Sequence, residues 1–374
     1  MTNPSVIFTA NRAYALSNSR TRIMERFLEN GYDVIIATKE DSICQQLCEK
    51  GMKHELVEFN RGGLSPIADF KAFLSLKNIV RKWKPVLIHN FHAKPVMMGT
   101  IASKNALGDN IVVANTITGL GHAFVKGGFQ SKIAGAGYKI AMPKSDCTIF
   151  QNRDDMQLFL EHKWVSPDKS KLIIGSGVEL SEFTRTSPKD NNSSDINIIM
   201  AGRLLNQKGI GEFVEIATRI TEKYPHAKFL LAGEYDPIHP DSIELDWIQN
   251  QSAIQYVGQL PDMRSFYESA DILLFPSYRE GVPRVILEAA SMEIPTIAFE
   301  VPGVTEAVLN NETGILVNFN DVDMMTSCVQ SLIEDSDLRS QLGSGARRFI
   351  QNKFDIKCIT EMYLETYREF GLQV

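Results

Sequence analysis

The chain has 374 residues, enough for two domains of ordinary size, and is 44% hydrophobic and 22% charged, as folded globular proteins are. No apolar run approaches the ~20 residues of a spanning helix. Met1 to Arg12 offers only Val6-Ile7-Phe8 as an apolar core, without a secretion-type h-region. The five cysteines, at 44, 48, 147, 328 and 358, form no disulfide framework and no zinc cluster, so we expect a cytoplasmic protein. Residues 1–180 carry 23 Lys+Arg against 16 Asp+Glu, about +7, and residues 181–374 carry 16 against 29, about −13. Halves of opposite sign suggest that the first meets something anionic, and no motif points to nucleic acid.

In chain order, Val6 to Thr9 reads as a strand, Ala10 to Ser19 as a polar loop, and Arg20 to Asn30 as a helix stopped by Gly31. Strands are expected at Val34–Ala37, Leu56–Phe59, Pro85–His89 and Ile111–Ala114. Helices are expected at Ser42–Lys50, Ile67–Lys82 and Ser131–Met142. Arg61 to Pro66 makes a turn, Cys147–Phe150 and Leu172–Ile174 are further strands, and the polar stretch Ser187 to Asp195 is the linker candidate. A second alternation follows. Its strands are Asn197–Ala201, Lys228–Ala232, Ile254–Val257, Ile272–Phe275, Thr296–Phe299 and Gly314–Val317. Its helices are Ile210–Tyr224, Met263–Ser269, Asp321–Glu334 and Ser336–Asn352. A last amphipathic helix, Ile356 to Phe370, gathers Ile359, Met362, Tyr363, Tyr367 and Phe370 on one side. Strand–helix alternation of this kind argues for α/β architecture: two Rossmann-like domains with parallel sheets facing across a cleft. We place the first domain at 1–186, with about 356–374 packing back on it, and the second at 196–355.

The stretch from Asp271 to Val308 is the most informative. Pro276 stops the apolar strand, Tyr278 to Val282 is a polar loop containing a glycine, and Pro283 suits a first helical position. The loop therefore lies at the carboxyl end of a parallel strand, where such sheets bind ligands. The helix start offers free N–H groups and a positive dipole end to an anion such as a diphosphate. Glu280 in the loop and Glu288 in the helix can accept hydrogen bonds from sugar hydroxyls on either side. Arg203 and Lys208, between Gly202 and Gly209 past another strand end, supply a guanidinium and an ammonium for the same diphosphate. Gly258-Gln259-Leu260 sits at a third strand end, where backbone groups can read a base edge.

Four features invite metal or membrane readings. His89 and His92 are three apart but on a strand would face opposite ways, so they make no metal pair. Asp321-Val322-Asp323 opens a helix, where aspartates serve as caps; no metal is expected. Arg81-Lys82-Trp83-Lys84 ends a helix and matches its dipole, yet it and Phe124-Val125-Lys126-Gly127-Gly128-Phe129 could also face a membrane.

The segments Gly202-Arg203, Lys208-Gly209, Ala232-Gly233, Val257-Gly258, and Glu280 to Glu288 within Pro-Ser-Tyr-Arg-Glu-Gly-Val-Pro-Arg-Val-Ile-Leu-Glu resemble the family 4 retaining glycosyltransferases of the GT-B fold. Gly175 to Val178, Pro302-Gly303 and Asn311 to Gly314 fit too, so the resemblance spans nearly the whole chain. Thr116 to Gly121 and His92-Ala93-Lys94-Pro95 resemble the subgroup that elongates undecaprenyl-diphosphate-linked sugars in bacterial surface glycans, N-acetylgalactosaminyltransferases included. The loop after the first strand departs from the family's glycine-rich form and reads Ala10-Asn11-Arg12-Ala13-Tyr14-Ala15.

The resemblance implies a UDP-sugar donor, no cofactor, and a lipid-linked saccharide acceptor met at the inner face of the cytoplasmic membrane. By position, Arg203 and Lys208 would bind the donor diphosphate, Glu288 the ribose, and Glu280 the donor sugar, with Gly281, Val282, Pro283 and Arg284 alongside. Gly258 and Leu260 would meet the base, His92 would reach the donor sugar or the acceptor, and Lys94, Thr118 and Gly119 would line the acceptor side. Retention would proceed by front-face substitution, the leaving phosphate taking the acceptor proton, without a protein nucleophile. The rival readings are a nucleotide-sugar 2-epimerase of the same fold and a non-catalytic nucleotide-sugar-binding module.

Overall fold

The computed structural model describes residues 3–17, 19–60, 65–120, 128–186 and 195–374. The chain forms two compact units, one of Met1–Ser176 together with Ile356–Val374, the other of Gly177–Asp355.

The first unit is built on strands β1 (Ser5–Arg12), β2 (Asp33–Lys39), β3 (Lys53–Leu56), β4 (Leu87–Phe91), β5 (Val112–Ile117), β6 (Cys147–Phe150) and β7 (Ser170–Leu172). They lie parallel in the order β3-β2-β1-β4-β5-β6-β7. Side chains alternate across the sheet. Val6 and Phe8 of β1 join Phe27, Val34, Ile36, Leu87 and Phe91 on one face. Ile7 joins Ile35, Leu76, Ile79, Val80, Ile88 and Val113 on the other. Burial on both faces explains why these strands read as unbroken apolar runs. The first face is closed by Ile359, Tyr363, Leu364 and Tyr367 of the Ile356–Arg368 helix. Strand order reverses between β1 and β4, paired from Val6↔Leu87 to Thr9↔Asn90.

The second unit repeats the plan with β8 (Ile196–Ala201), β9 (Ala227–Ala232), β10 (Gln255–Gly258), β11 (Ile272–Phe275), β12 (Thr296–Phe299) and β13 (Gly314–Val317). All six are parallel, in the order β10-β9-β8-β11-β12-β13. The order reverses between β8 and β11, where Ile198 lies beside Ile272. At such a switch point neighbouring connections leave in opposite directions and open a crevice beyond the strand ends.

Several local expectations need correction. The third strand is Lys53–Leu56 rather than Leu56–Phe59, because its ladder with Ile35–Thr38 ends at Leu56; Val57 and Phe59 are buried beyond it. β1 runs on to Arg12, so the residues read as the start of a loop are strand. β7 ends at Leu172, two residues before the predicted strand does. Three helices went unread, Ala93–Leu107, Arg153–Glu161 and the short Leu245–Gln249. Pro283 caps its helix in extended conformation, and the first helical residue is Arg284. In the final helix Met362 is 40% exposed and lies off the buried stripe, which Thr360, Leu364 and Thr366 fill instead. Asp321 caps its helix, accepting from the Met324 N–H at 3.0 Å. Among the described residues, no helix is long and apolar enough to cross a membrane.

Candidate functional site

In the second unit, the two connections leaving the switch point converge. After β8 the chain passes Arg203 and a short 3-10 turn, Asn206–Lys208, before the Ile210–Lys223 helix. After β11 it passes Ser277 to Pro283 before the Arg284–Ser291 helix. The ammonium of Lys208 donates to Oε1 of Glu280, with both side chains less than one-fifth exposed. Ser277, a residue the sequence did not flag, donates its hydroxyl to the same oxygen at 2.7 Å. The Tyr278 N–H donates to the Gln207 carbonyl at 3.0 Å, joining the two loops backbone to backbone.

Close approach of these loops demands glycine. Gly209 has φ +78°, and a Cβ there would stand 2.1 Å from the Pro276 carbonyl oxygen. Gly303, at φ +82°, lies under the Glu280–Gly281 backbone; a Cβ would come within 2.2 Å of the Gly281 oxygen. The Glu280 N–H donates to the Pro302 carbonyl at 3.1 Å from that same support.

Glu288 sits one helical turn beyond the loop and is 7% exposed. Its Oε2 accepts from the Tyr267 hydroxyl at 2.8 Å and its Oε1 from the Arg284 guanidinium at 2.7 Å. One donor on each oxygen fixes the buried carboxylate in place. Arg203 is half-exposed, its guanidinium 3.8 Å from Asp236. The 203–209 loop is fastened from behind by buried Asp241, whose carboxylate accepts from the Gln207 N–H at 2.9 Å and whose carbonyl accepts from the Asn206 N–H at 2.9 Å. Tyr278 donates its hydroxyl to Glu212; burial first, then that carboxylate, push the phenol above its usual range. Gly258, φ +81°, ends β10, and its carbonyl accepts from the Gly233 N–H at 2.9 Å; Leu260 is half-buried beyond it. Gly281, Val282 and Pro283 are buried and Arg284 half-buried.

The sequence-selected residues of the first unit follow the carboxyl ends of β4 and β5. His92 follows β4 and is not on the strand, as the His89/His92 reading supposed. It caps the Ala93–Leu107 helix with φ +70°, and its Nδ1 accepts from the Asn11 N–H at 3.5 Å. Lys94 bonds Asp69 at 2.6 Å, and Thr118 and Gly119 (φ +113°) follow β5. His89 is wholly buried: its ring bonds the Tyr367 hydroxyl at 2.5 Å and the Thr116 hydroxyl at 2.7 Å, and burial pushes its pKa well below the usual range. Cys44 is buried and Cys48 exposed; among the described residues no group of three His, Cys, Asp or Glu is placed to hold a metal. The Lys82 ammonium and the Trp83 indole N–H both donate to Glu55, at 2.5 and 2.7 Å. Phe124 to Gly127, of the other membrane-facing candidate, lie outside the described residues.

The family description "Glycosyl transferase 4-like" matches residues 6–152, and "Glycosyl transferases group 1" matches residues 195–335. The chain is 25% identical to the N,N'-diacetylbacillosaminyl-diphospho-undecaprenol alpha-1,3-N-acetylgalactosaminyltransferase of Campylobacter jejuni, over 96% of this chain and 97% of that protein. It is also 25% identical to the UDP-Gal:alpha-D-GlcNAc-diphosphoundecaprenol alpha-1,3-galactosyltransferase of Escherichia coli, over 87% of this chain and 86% of that one. Anabaena HepE, solved in complex with UDP and glucose, superposes with a TM-score of 0.76 at 16% identity, covering 97% of this chain and 99% of that one, a likeness of fold.

Proposed function

The chain is a GT-B glycosyltransferase, 4-like in its first half and group 1 in its second. From that premise we propose that it moves a sugar, an N-acetylhexosamine in the reading we favour, from a UDP-sugar to a lipid-linked saccharide. The reaction belongs to bacterial surface polysaccharide or glycan synthesis, retains the anomeric configuration, and takes place at the inner face of the cytoplasmic membrane without a metal. One observation carries this reading: Lys208 and Glu280, far apart in sequence, meet at the β8/β11 switch point, with Glu288 fixed one turn behind.

Arg203 and Lys208 receive the donor diphosphate. As the glycosidic bond breaks, negative charge grows on the β-phosphate, and these fixed cations stabilise it more in the transition state than in the ground state. Oε1 of Glu280 is held by Lys208 and Ser277, which leaves Oε2 to accept from a hydroxyl of the donor sugar. Glu288 keeps lone pairs beside its two bonds for the ribose hydroxyls. The Gly281–Arg284 backbone carries N–H groups at the helix start toward the anion, and Gly258 and Leu260 border the uracil. His92, Lys94, Thr118 and Gly119 are assigned to the acceptor and the sugar it attacks. Front-face substitution lets the leaving phosphate oxygen take the acceptor proton, so no side chain must form a bond to the sugar.

UDP- and GDP-sugars offered with extracted lipid-linked acceptors, followed by mass analysis, test the proposal. A product heavier by one sugar is expected, lost in Lys208→Ala. An epimerised free sugar nucleotide, or donor consumed by hydrolysis alone, would overturn it.

A further inference from the structure

We infer that the outward face of the Pro66–Trp83 helix is the surface by which this chain rests on an anionic bilayer, an inference that builds on the lipid-linked acceptor proposed above. This helix is apolar on two opposite sides. Ala72, Leu76, Ile79 and Val80 are buried against the sheet. At 100° per residue, Ile67, Phe70, Lys71, Leu74, Asn78 and Arg81 share the opposite stripe. Ile67 is 74% exposed, Phe70 60% and Leu74 40%. Leu56, 50% exposed, adjoins them, its carbonyl accepting from the Ser75 hydroxyl at 3.3 Å. Phe70 stacks on half-buried Phe73, with ring centroids 6.4 Å apart. Large apolar groups gathered on one solvent-facing stripe mark an interaction surface, whereas scattered ones do not.

Charge identifies the occupant. Between Pro66 and Lys84 the basic residues are Lys71, Lys77, Arg81, Lys82 and Lys84, and the single acid is Asp69. Asp69 turns inward to Lys94. Apart from Asn78, the stripe therefore offers water apolar and basic groups, the chemistry of an interfacial helix on anionic lipid. Its position fits the acceptor as well. The Asp69–Lys94 bond puts the apolar end of the stripe beside the residue assigned to the acceptor side, so a saccharide anchored in the bilayer would reach Lys94 without leaving the headgroup layer. Lys82 is drawn to Glu55, which leaves Lys71 and Arg81 as the basic residues on the stripe itself.

Flotation of the full chain with vesicles of roughly one-third phosphatidylglycerol in phosphatidylethanolamine, against pure phosphatidylcholine, tests the inference. Wild type should float with the anionic vesicles, less as salt rises. The Ile67→Ser/Phe70→Ser/Leu74→Ser variant and the Lys71→Glu/Arg81→Glu variant should each bind about tenfold or more weakly. All five positions are exposed, so melting should not change; a single Phe70→Asp replaces the triple variant if that one fails to fold. Binding by both variants equal to wild type, or wild type indifferent to lipid charge, overturns the inference. So does concentration-dependent dimerisation of wild type, abolished by the triple variant, in a chain that never floats. UDP affinity, measured calorimetrically on the same proteins, reports on the transferase reading separately.

Discussion

The two sheets have the same strand order around their switch points, but the two switch points are held in different ways. At β8/β11 the connections are locked: an ion pair, a backbone hydrogen bond between loops, and two glycines pressed against neighbouring carbonyls. At β1/β4, among the described residues, the connection after β1 meets the one after β4 through a longer bond, from the Asn11 N–H to His92 Nδ1 at 3.5 Å. The locked end carries the residues proposed to hold the diphosphate, where charge develops and displacement is costly. The other end carries His92 and Lys94, proposed for the acceptor side.

Breaking the locked end should cost most. Lys208→Ala should lower kcat by about a hundredfold or more in the transfer assay. If the two groups act as one unit, Lys208→Ala/Glu280→Gln should be little worse than either single variant, a non-additivity that a double-mutant cycle would register. Gly209→Ala has to push the Pro276 carbonyl aside from a left-handed backbone; urea unfolding should show a loss of about 2 kcal/mol or more.

The next effect belongs to the first unit. Burial holds His89 neutral, while the unfolded chain takes up a proton below about pH 6.5. The unfolded state then binds more protons, so stability is complete above that pH and falls below it, by up to about 1.4 kcal/mol per pH unit. Urea midpoints at pH 7.5 and 5.5 would show this slope, and His89→Gln should flatten it. Tyr267→Phe removes one donor to Glu288 and should raise the donor KM roughly fivefold, about 1 kcal/mol, with kcat little altered. Smallest of all, His92→Ala should leave the melting curve within about 0.5 kcal/mol of wild type; a larger shift would mean that the first switch point is locked after all.

Much of this was legible in the sequence because the signals are local. β11, β12 and β13 begin and end where their apolar runs do, and the spacing of Glu280 and Glu288 around a helix start survives in the fold. What failed needed distant partners or hid under mixed composition. The Ala93–Leu107 helix holds Pro95, Gly99 and Thr100, which dilute its pattern. Gly99 is there because a Cβ would meet Asn90 Oδ1 at 2.0 Å, a contact no periodicity announces. Ser277, Asp241 and Tyr267 act through residues that only the folded chain brings near. His89 and Tyr367, 278 positions apart, reveal their bond only once the last helix has docked.

That docking has a consequence for biogenesis. The first unit is sewn shut by Ile359, Tyr363, Leu364 and Tyr367, which the ribosome delivers only after the entire second unit has been made. At ~5–20 residues per second, the nascent β1–β7 sheet waits on the order of ten seconds or more with part of one greasy face uncovered. During that interval the exposed surface is prone to aggregation, while Gly177–Asp355 has every strand and helix it needs as soon as it clears the exit tunnel.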